Sequence, residues 1–113
     1  MHKNTLIQVT QNGMGNGDEE LGLKLITNYF KLLDADGRLP KIIVFYNGGI
    51  KLICEDSPAL EALQNLELKG VRMLACKTCL DFFGLIDKAK VGVVGSMPDI
   101  ITLQAGADKI INL

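Results

Sequence analysis

The chain has few of the residues that recognise nucleic acids or act as general bases. It contains no tryptophan and a single histidine, His2, and only 5% of its 113 residues are aromatic. A surface on which bases stack is therefore not expected. The formal net charge is −1, and without a basic patch neither nucleic acid nor an anionic membrane is an expected partner. Because His2 is the only imidazole, cysteine–histidine hydrolase catalysis also has little support.

Long apolar runs are missing as well. No stretch approaches the roughly 20 residues that cross a bilayer, and residues 1–4 lead into a strand-like run without a signal-peptide hydrophobic region. We therefore expect a cytoplasmic location. Disulfides are rare in that compartment, so the three cysteines are interpreted as free thiols, ligands or redox groups.

Strand-like and helix-like segments alternate along the chain, which is 48% hydrophobic and 22% charged and contains no linker. We predict strands at residues 5–10, 41–46, 71–75, 91–94 and 109–113. Helices are predicted from the N-cap Asp18 to about Asp34, from the N-cap Ser57 to Gly70, from Thr78 to about Ile86, and from Pro98 to Gly106. This order predicts one domain over residues 1–113, a three-layer α/β/α sandwich with a parallel five-stranded sheet.

The first predicted helix has an unusually wide apolar stripe. Leu23, Ile26, Phe30 and Leu33 recur at helical spacing, and further leucines lie beside them. Such a helix suits burial on two sides, by the sheet and by another subunit, so we expect a homo-oligomer.

Two cysteines, Cys76 and Cys79, fall where a buried strand ends and a helix begins. In an open α/β sheet, ligands gather at the carboxyl ends of the strands. Thr78 is predicted as the N-cap, with Asp81 three residues later. Both thiols would then feel the positive end of the helix dipole, and Lys77 would add a cation. We therefore expect a lowered thiol pKa at this site.

A structural role for these cysteines is the alternative, since free cysteines are commonly buried and inert. A zinc site would need two further ligands, and only Cys54 and His2 are available, so no metal is expected. Cys54 follows the second strand and so lies at the same edge of a parallel sheet as Cys76. A pocket shared with Cys76 and simple packing under the loop both stay open for Cys54.

The glycine-rich loop at residues 12–17 follows the first strand. Asp18 stands where a dinucleotide-binding fingerprint requires glycine, and its carboxylate disfavours a pyrophosphate. No Gly-Lys-Ser or Gly-Lys-Thr occurs, so no nucleotide cofactor is expected. We interpret the loop as a tight turn at the border of the active pocket. That pocket is assigned, beyond the two cysteines Cys76 and Cys79, to Cys54, Lys77, Gly13, Gly15, Asn47 and Gly48.

Three segments in order resemble a known family: the glycine loop with Asp18, the stretch Phe45-Tyr46-Asn47-Gly48-Gly49 running on to Cys54, and Gly70-Val71 leading to the two later cysteines. Together they resemble the DsrE-like domain at the carboxyl end of YedF-type proteins, which are sulfurtransferase-like and associated with selenium metabolism. The resemblance implies a DsrE-like α/β/α fold and homo-oligomers.

The same resemblance implies site residues and partners. Cys76 matches the strand-end cysteine that carries sulfur as a persulfide in sulfur-relay relatives, and Cys79 matches an additional cysteine of the YedF-like pattern. YedF-type proteins also carry a TusA-like domain with a Cys-Pro motif, which this chain lacks. The implied partners are therefore separate sulfur donor and acceptor proteins, of which a TusA-like protein is one candidate.

Three functions follow as hypotheses. The first is a carrier or sulfurtransferase-like protein that passes sulfane sulfur, or selenium, through a persulfide on Cys76. The second is a dithiol redox module that uses Cys76 and Cys79. The third is a non-catalytic oligomeric binding protein whose cysteines are structural. Whether the chain is an enzyme stays open among these three.

Overall fold

Five strands and four α-helices alternate along residues 3–113, the part of the chain that this computed structural model describes. The strands are β1 (Lys3–Val9), β2 (Pro40–Phe45), β3 (Arg72–Cys76), β4 (Val93–Gly95) and β5 (Lys109–Asn112). The helices are α1 (Glu19–Asp36), α2 (Leu60–Leu68), α3 (Lys77–Phe82) and α4 (Met97–Gly106), and a 3-10 helix, Asn47–Ile53, follows β2.

The strands form one parallel sheet in the order β4-β3-β2-β1-β5. The first four strands step across the sheet in one direction, and α4 then carries the chain back to pair β5 with β1. Because crossovers between parallel strands are right-handed, reversing the direction moves the connecting helix to the opposite face of the sheet. The predicted α/β/α sandwich with a five-stranded parallel sheet is confirmed.

Each face of the sheet has its own apolar core. Helices α1 and α2 pack with the 3-10 helix on one face, where Phe30, Phe45 and Leu63 are fully buried. The other core is smaller, and α4 covers it through Ile100, which packs with strand residues that include Leu6, Val44, Leu74 and Cys76. Since side chains alternate along a strand, Ala75 belongs to the first core and Cys76 to the second.

Helix α1 begins and ends close to the predicted positions. The Asp18 side chain accepts a hydrogen bond of 2.8 Å from the Leu21 N–H, as an N-cap does. Gly37 ends the helix with a left-handed φ of 83°, and its N–H donates to the Leu33 carbonyl. On the outer side of this helix, Leu21 and Leu32 are exposed.

The predicted N-cap at Thr78 is wrong. Helix α3 begins at Lys77 with Cys76 as its N-cap, has no side-chain cap, and ends at Phe82. Strand β3 continues to Cys76 because that residue still pairs with Gly95 of β4. The carboxylate of Asp81, expected in a capping box, instead binds the Lys77 ammonium at 2.8 Å.

Two other boundaries also differ from the prediction. Helix α2 starts at Leu60, because the Ser57 hydroxyl accepts from the Ala59 N–H in a turn that precedes the helix. Strand β4 starts two residues late, because Gly92 has a φ of 78° and donates its N–H to the Glu67 carboxylate at 2.7 Å. The first displacement arises from a local turn and the second from a contact with α2, and neither changes the topology.

Candidate functional site

Cys76 and Cys79 lie at the carboxyl end of β3, one turn of α3 apart. Cys76 is 1% exposed and packs among Val44, Leu74 and Ile100 on the face that α4 covers. Cys79 is partly buried and contacts the cores on both faces of the sheet. The two thiols are thus neighbours at the sheet edge, and one of them is far more accessible than the other.

A backbone amide from another element points at the more accessible thiol. The N–H of Asn47, the first residue of the 3-10 helix, donates to the Sγ of Cys79 at 3.1 Å. Asn47 has a φ of 51°, in the left-handed region that asparagine tolerates better than most residues. The carboxyl end of β2 therefore supplies a hydrogen-bond donor to a sulfur on α3.

Glycine at position 49 allows the 3-10 helix to lie against β1. A Cβ on Gly49 would collide with the carbonyl of Val9, whose oxygen also accepts from the Tyr46 N–H at 3.1 Å. Any side chain at position 49 would displace this helix and, with it, the amide of Asn47. Gly49 thus supports the site without touching a thiol.

The electrostatic environment of Cys79 differs from the expectation. Burial raises the pKa of the Cys79 thiol, the Asn47 N–H opposes that rise, and the nearby Cys76 thiol adds to it. The prediction of a lowered thiol pKa is therefore wrong for Cys79. The Lys77 ammonium is exposed and paired with Asp81, so its charge is neutralised on the surface by that carboxylate.

Cys54 lies in a different environment from the thiol pair. Its thiol donates to the Ile50 carbonyl at 3.2 Å and is buried in the core on the α1 and α2 face. Burial, followed by the charge of Glu55, raises the pKa of Cys54. The structure therefore does not bring Cys54 together with Cys76, which packs on the opposite face of the sheet.

The glycine loop and the start of the 3-10 helix line a cleft of about 660 Å³ at the carboxyl ends of β1 and β2. The loop packs closely on the start of α1, since a Cβ on Gly13 would lie 2.9 Å from the backbone of Gly22. The cleft meets the thiol pair at Asn47, which contributes to both. Its wall includes the predicted pocket residues Gly13, Gly15, Asn47 and Gly48, together with the charged residues Asp18, Glu19, Glu20 and Lys51.

Metal binding has no support in the part of the chain that the structure describes, residues 3–113. There, no group of three or more His, Cys, Asp or Glu side chains is arranged to hold an ion. His2, considered above as a ligand, lies outside the described residues. Over the same residues no helix is long and apolar enough to cross a membrane.

Sequence reasoning placed Asn47 in the pocket but missed what its amide does. The Asn-Gly pair after a strand predicts a turn, yet nothing local indicates that its N–H meets a sulfur 32 positions away. A polar contact inside the sandwich was also missed. Gln8, buried in β1, accepts a hydrogen bond from the side chain of Gln104 on α4, and its position in an apolar strand was the one available signal.

A parallel α/β/α sandwich that presents two adjacent thiols at the carboxyl edge of its sheet defines a small α/β domain suited to thiol chemistry. The chain belongs to the DsrE/DsrF-like family, whose sequence profile matches residues 3–113. This family is generally associated with sulfur relay. The match concerns the family as a whole, and the resemblance to the YedF type stays a prediction.

Solved structures show the same fold. The YchN protein from E. coli is similar with a TM-score of 0.74 and 17% identity, over 100% of both chains. A protein of unknown function from Methanobacterium thermoautotrophicum is similar with a TM-score of 0.72 and 23% identity, also over 100% of both chains. A conserved protein of unknown function from Bacteroides thetaiotaomicron is similar with a TM-score of 0.63 and 18% identity, over 97% of this chain and 95% of that one. A search of curated protein sequences found no significant match.

Proposed function

We propose that this protein carries sulfane sulfur as a persulfide on Cys76, taking it from a donor protein and passing it to an acceptor protein. The observation that carries the proposal is the pair of adjacent thiols, Cys76 and Cys79, at the edge where ligands gather in this fold. A persulfide on Cys76 would lie among Val44, Leu74 and Ile100. These apolar side chains would exclude water and competing thiols from the sulfur.

The chemistry needs neither an oxidant nor a cofactor. A thiolate of this protein attacks the outer sulfur of the donor persulfide, the donor's S–S bond breaks, and the donor leaves as a thiolate. Delivery is the same reaction in the opposite direction, with an acceptor thiolate as the nucleophile. Alternatively, the Cys79 thiolate attacks the inner sulfur of the Cys76 persulfide, which forms the Cys76–Cys79 disulfide and releases hydrosulfide, and an external dithiol then reduces the disulfide.

A dithiol redox module is the second candidate, and the proximity of Cys76 and Cys79 supports it. In that function the pair would cycle between dithiol and disulfide with a defined potential. The non-catalytic binding module is the third candidate, and the burial of Cys76 and the raised pKa of Cys79 favour it. Selective reaction of either thiol in the folded protein would contradict this third candidate.

The partners are proposed from chemistry and resemblance. Sulfane sulfur has to come from a persulfide and go to a thiol, and we propose that both belong to proteins, with a TusA-like protein as our candidate for one of these roles. We also propose selenium as a second transferred atom, because the YedF-type proteins that the sequence resembles are associated with selenium metabolism. We propose the reducing cytoplasm as the location, since thiols stay reduced there.

Self-association is part of the proposal. The sheet face covered by α4 alone leaves an apolar surface, formed by Val93 (63% exposed), Met97 (51%), Ile101 (58%) and Ile110 (45%). Val93 and Ile110 belong to the two edge strands. Several large exposed apolar side chains on one face are typical of an interface, and we propose that a second copy of the chain binds this face.

The self-association is tested by light scattering of Ile101→Lys and of Leu68→Lys. Leu68 is 86% exposed on α2, which packs on the other face, so it serves as the matched control. We expect the first variant to lower the measured mass and the second to leave it at the wild-type value. A wild-type protein of monomer mass would contradict the self-association alone.

The carrier function is tested by intact-protein mass spectrometry after incubation with glutathione persulfide. We expect wild type and Cys54→Ser to gain one sulfur atom, and Cys76→Ser to lose stable retention of it. The Cys54 variant controls for the loss of a buried thiol on the other face. Absence of any adduct on the wild type, with loss of two hydrogens on oxidation, would favour the dithiol module instead.

A further inference from the structure

The buried position of Cys76 conflicts with direct loading by a protein donor. Cys76 is 1% exposed and is enclosed by Val44 and Leu74 of the sheet and by Ile100 of α4. A donor persulfide on another protein has to approach in line with its S–S bond to within bonding distance. It could reach Cys76 only if α4 or α3 moved away from the sheet.

Unlike Cys76, Cys79 can be reached by an external donor. It is partly exposed, and the amide that donates to its sulfur belongs to Asn47, which also lines the cleft of about 660 Å³. A backbone N–H directed at a sulfur stabilises the negative charge of a thiolate and of a leaving thiolate. Cys79 therefore combines access from outside with a fixed donor for the charge that the reaction develops.

The two cysteines also lie in the same apolar cluster, one helical turn apart. Cys79 packs against the apolar cluster that contains Cys76, and the Cys76 thiol contributes to the raised pKa of the Cys79 thiol. A group held on Cys79 is therefore within reach of Cys76 without a change of fold, whereas a group held on an external protein is not.

We infer that Cys79 is the thiol that meets the external donor and acceptor, and that Cys76 is the internal store behind it. The inference rests on the proposed carrier function and adds the order of the two cysteines. In the first step the Cys79 thiolate takes the outer sulfur of the donor persulfide, and the donor leaves as a thiolate. In the second step the Cys76 sulfur attacks the outer sulfur of the Cys79 persulfide and forms a new S–S bond. The bond to Cys79 breaks, and the Cys76 proton passes to the released Cys79 thiolate.

The sequence offers a direct way to locate the sulfur. Trypsin cleaves after Arg72, Lys77 and Lys88, so Cys76 and Cys79 fall in the separate peptides 73–77 and 78–88. The folded protein is loaded with glutathione persulfide for increasing times, and all sulfurs are blocked by an alkylating reagent in denaturant before digestion. The measurement is repeated on Cys79→Ser, Cys76→Ser and the control Cys54→Ser.

In wild type and in Cys54→Ser we expect the sulfur first on peptide 78–88 and later on peptide 73–77. In Cys76→Ser it should load on peptide 78–88 at the wild-type rate and then be lost from Cys79, because no internal thiol is left to store it. In Cys79→Ser the loading of Cys76 should slow at least about tenfold, because it then requires local opening of the fold. Circular dichroism checks that each variant is folded. Alkylation of the unloaded wild type should modify Cys79 before Cys76.

The possible failures are distinguishable. Loading of Cys76 at the wild-type rate in folded Cys79→Ser would overturn the order of the two thiols and leave the carrier function in place. Equal alkylation rates for the two thiols in the native wild type would also overturn it. Absence of sulfur on either peptide of the wild type would overturn the carrier function, and the relay with it.

Discussion

The backbone N–H of Asn47 lies 3.1 Å from the Sγ of Cys79 and joins the end of β2 to the helix that follows β3. Substitutions at position 47 act on this bond through the backbone, because the donor is the main chain. Glycine preserves both the N–H and the φ of 51°. A β-branched residue is strained in that conformation, since the left-handed region costs an L-residue roughly 1–2 kcal/mol.

We therefore predict that Asn47→Gly keeps the wild-type pH dependence of Cys79 alkylation. Asn47→Val should lose about 1–2 kcal/mol of stability and shift that dependence to higher pH, as the N–H that lowers the pKa of Cys79 moves away. Asp56→Val is the matched control, because Asp56 also has a positive φ, 71°. It should lose stability without altering Cys79. An unchanged alkylation profile in Asn47→Val would contradict the role of this amide.

Gly49→Ala should be strongly destabilising. Its Cβ would collide with the Val9 carbonyl, which belongs to the rigid end of β1 and cannot rotate away as a side chain would. We expect a loss of about 1–3 kcal/mol, the usual cost of overpacking, measured by urea unfolding. Gly17→Ala is the control, since a Cβ there meets nothing within 4 Å. A loss of equal size in both variants would contradict the close approach at Gly49.

The free energy of unfolding should fall as the pH becomes alkaline. Burial raises the pKa of both Cys54 and Cys79 above that of an unfolded thiol. The stability that each thiol contributes is fully present below its pKa in the unfolded chain, about 8.5. It is lost as the pH rises towards the pKa of the same thiol in the folded protein. We expect the free energy of unfolding to decline over that interval, and more gradually in Cys54→Ala and in Cys79→Ala. The check is urea unfolding across the alkaline range in reducing buffer. A flat wild-type profile would disagree with the raised pKa values.

The cap of α4 should control access to Cys76. The Ser96 hydroxyl accepts from the Asp99 N–H at 3.4 Å, and the Asp99 carboxylate accepts from the Ser96 N–H at 2.8 Å. Ser96→Ala should lower stability by about 1 kcal/mol and accelerate alkylation of Cys76, because Ile100 of this helix covers it. Mass spectrometry of peptide 73–77 measures the rate.

Asp18→Ala is the control for that experiment. It removes the N-cap of α1 on the opposite face, and its stability loss should be similar. Faster alkylation of Cys76 in both variants alike would indicate global unfolding and would contradict a specific effect of α4.

Much of the fold could be predicted from local patterns. The apolar run that became β2 is buried on both faces, as a central parallel strand is, and the Asp18 and Gly37 signals are close to the true ends of α1. Strand order could not be predicted in this way. Strand order depends on which apolar faces pack together across the whole domain, and no local pattern in the sequence shows this.

The site was predictable in position but not in its electrostatics. The strand-to-helix junction located Cys76 and Cys79 together, while the expected cap at Thr78 failed because β3 continues to Cys76 and α3 begins at Lys77. The rise in the Cys79 pKa arises mainly from burial, which is a property of the tertiary structure. For Cys54 we predicted the same edge of the sheet as Cys76, but the face on which it packs depends on the path of the 3-10 helix.

The late position of α4 in the chain, after β3 and β4, has a consequence during synthesis on the ribosome. A chain emerges from its amino terminus, so Cys76 leaves the ribosome before Ile100 of α4 is available to cover it. During that interval the thiol that will be shielded in the finished protein is open to oxidants and electrophiles. In the nascent chain Cys76 is therefore more open to oxidation and alkylation than in the folded protein. A reducing environment would protect this thiol until α4 has packed on the sheet.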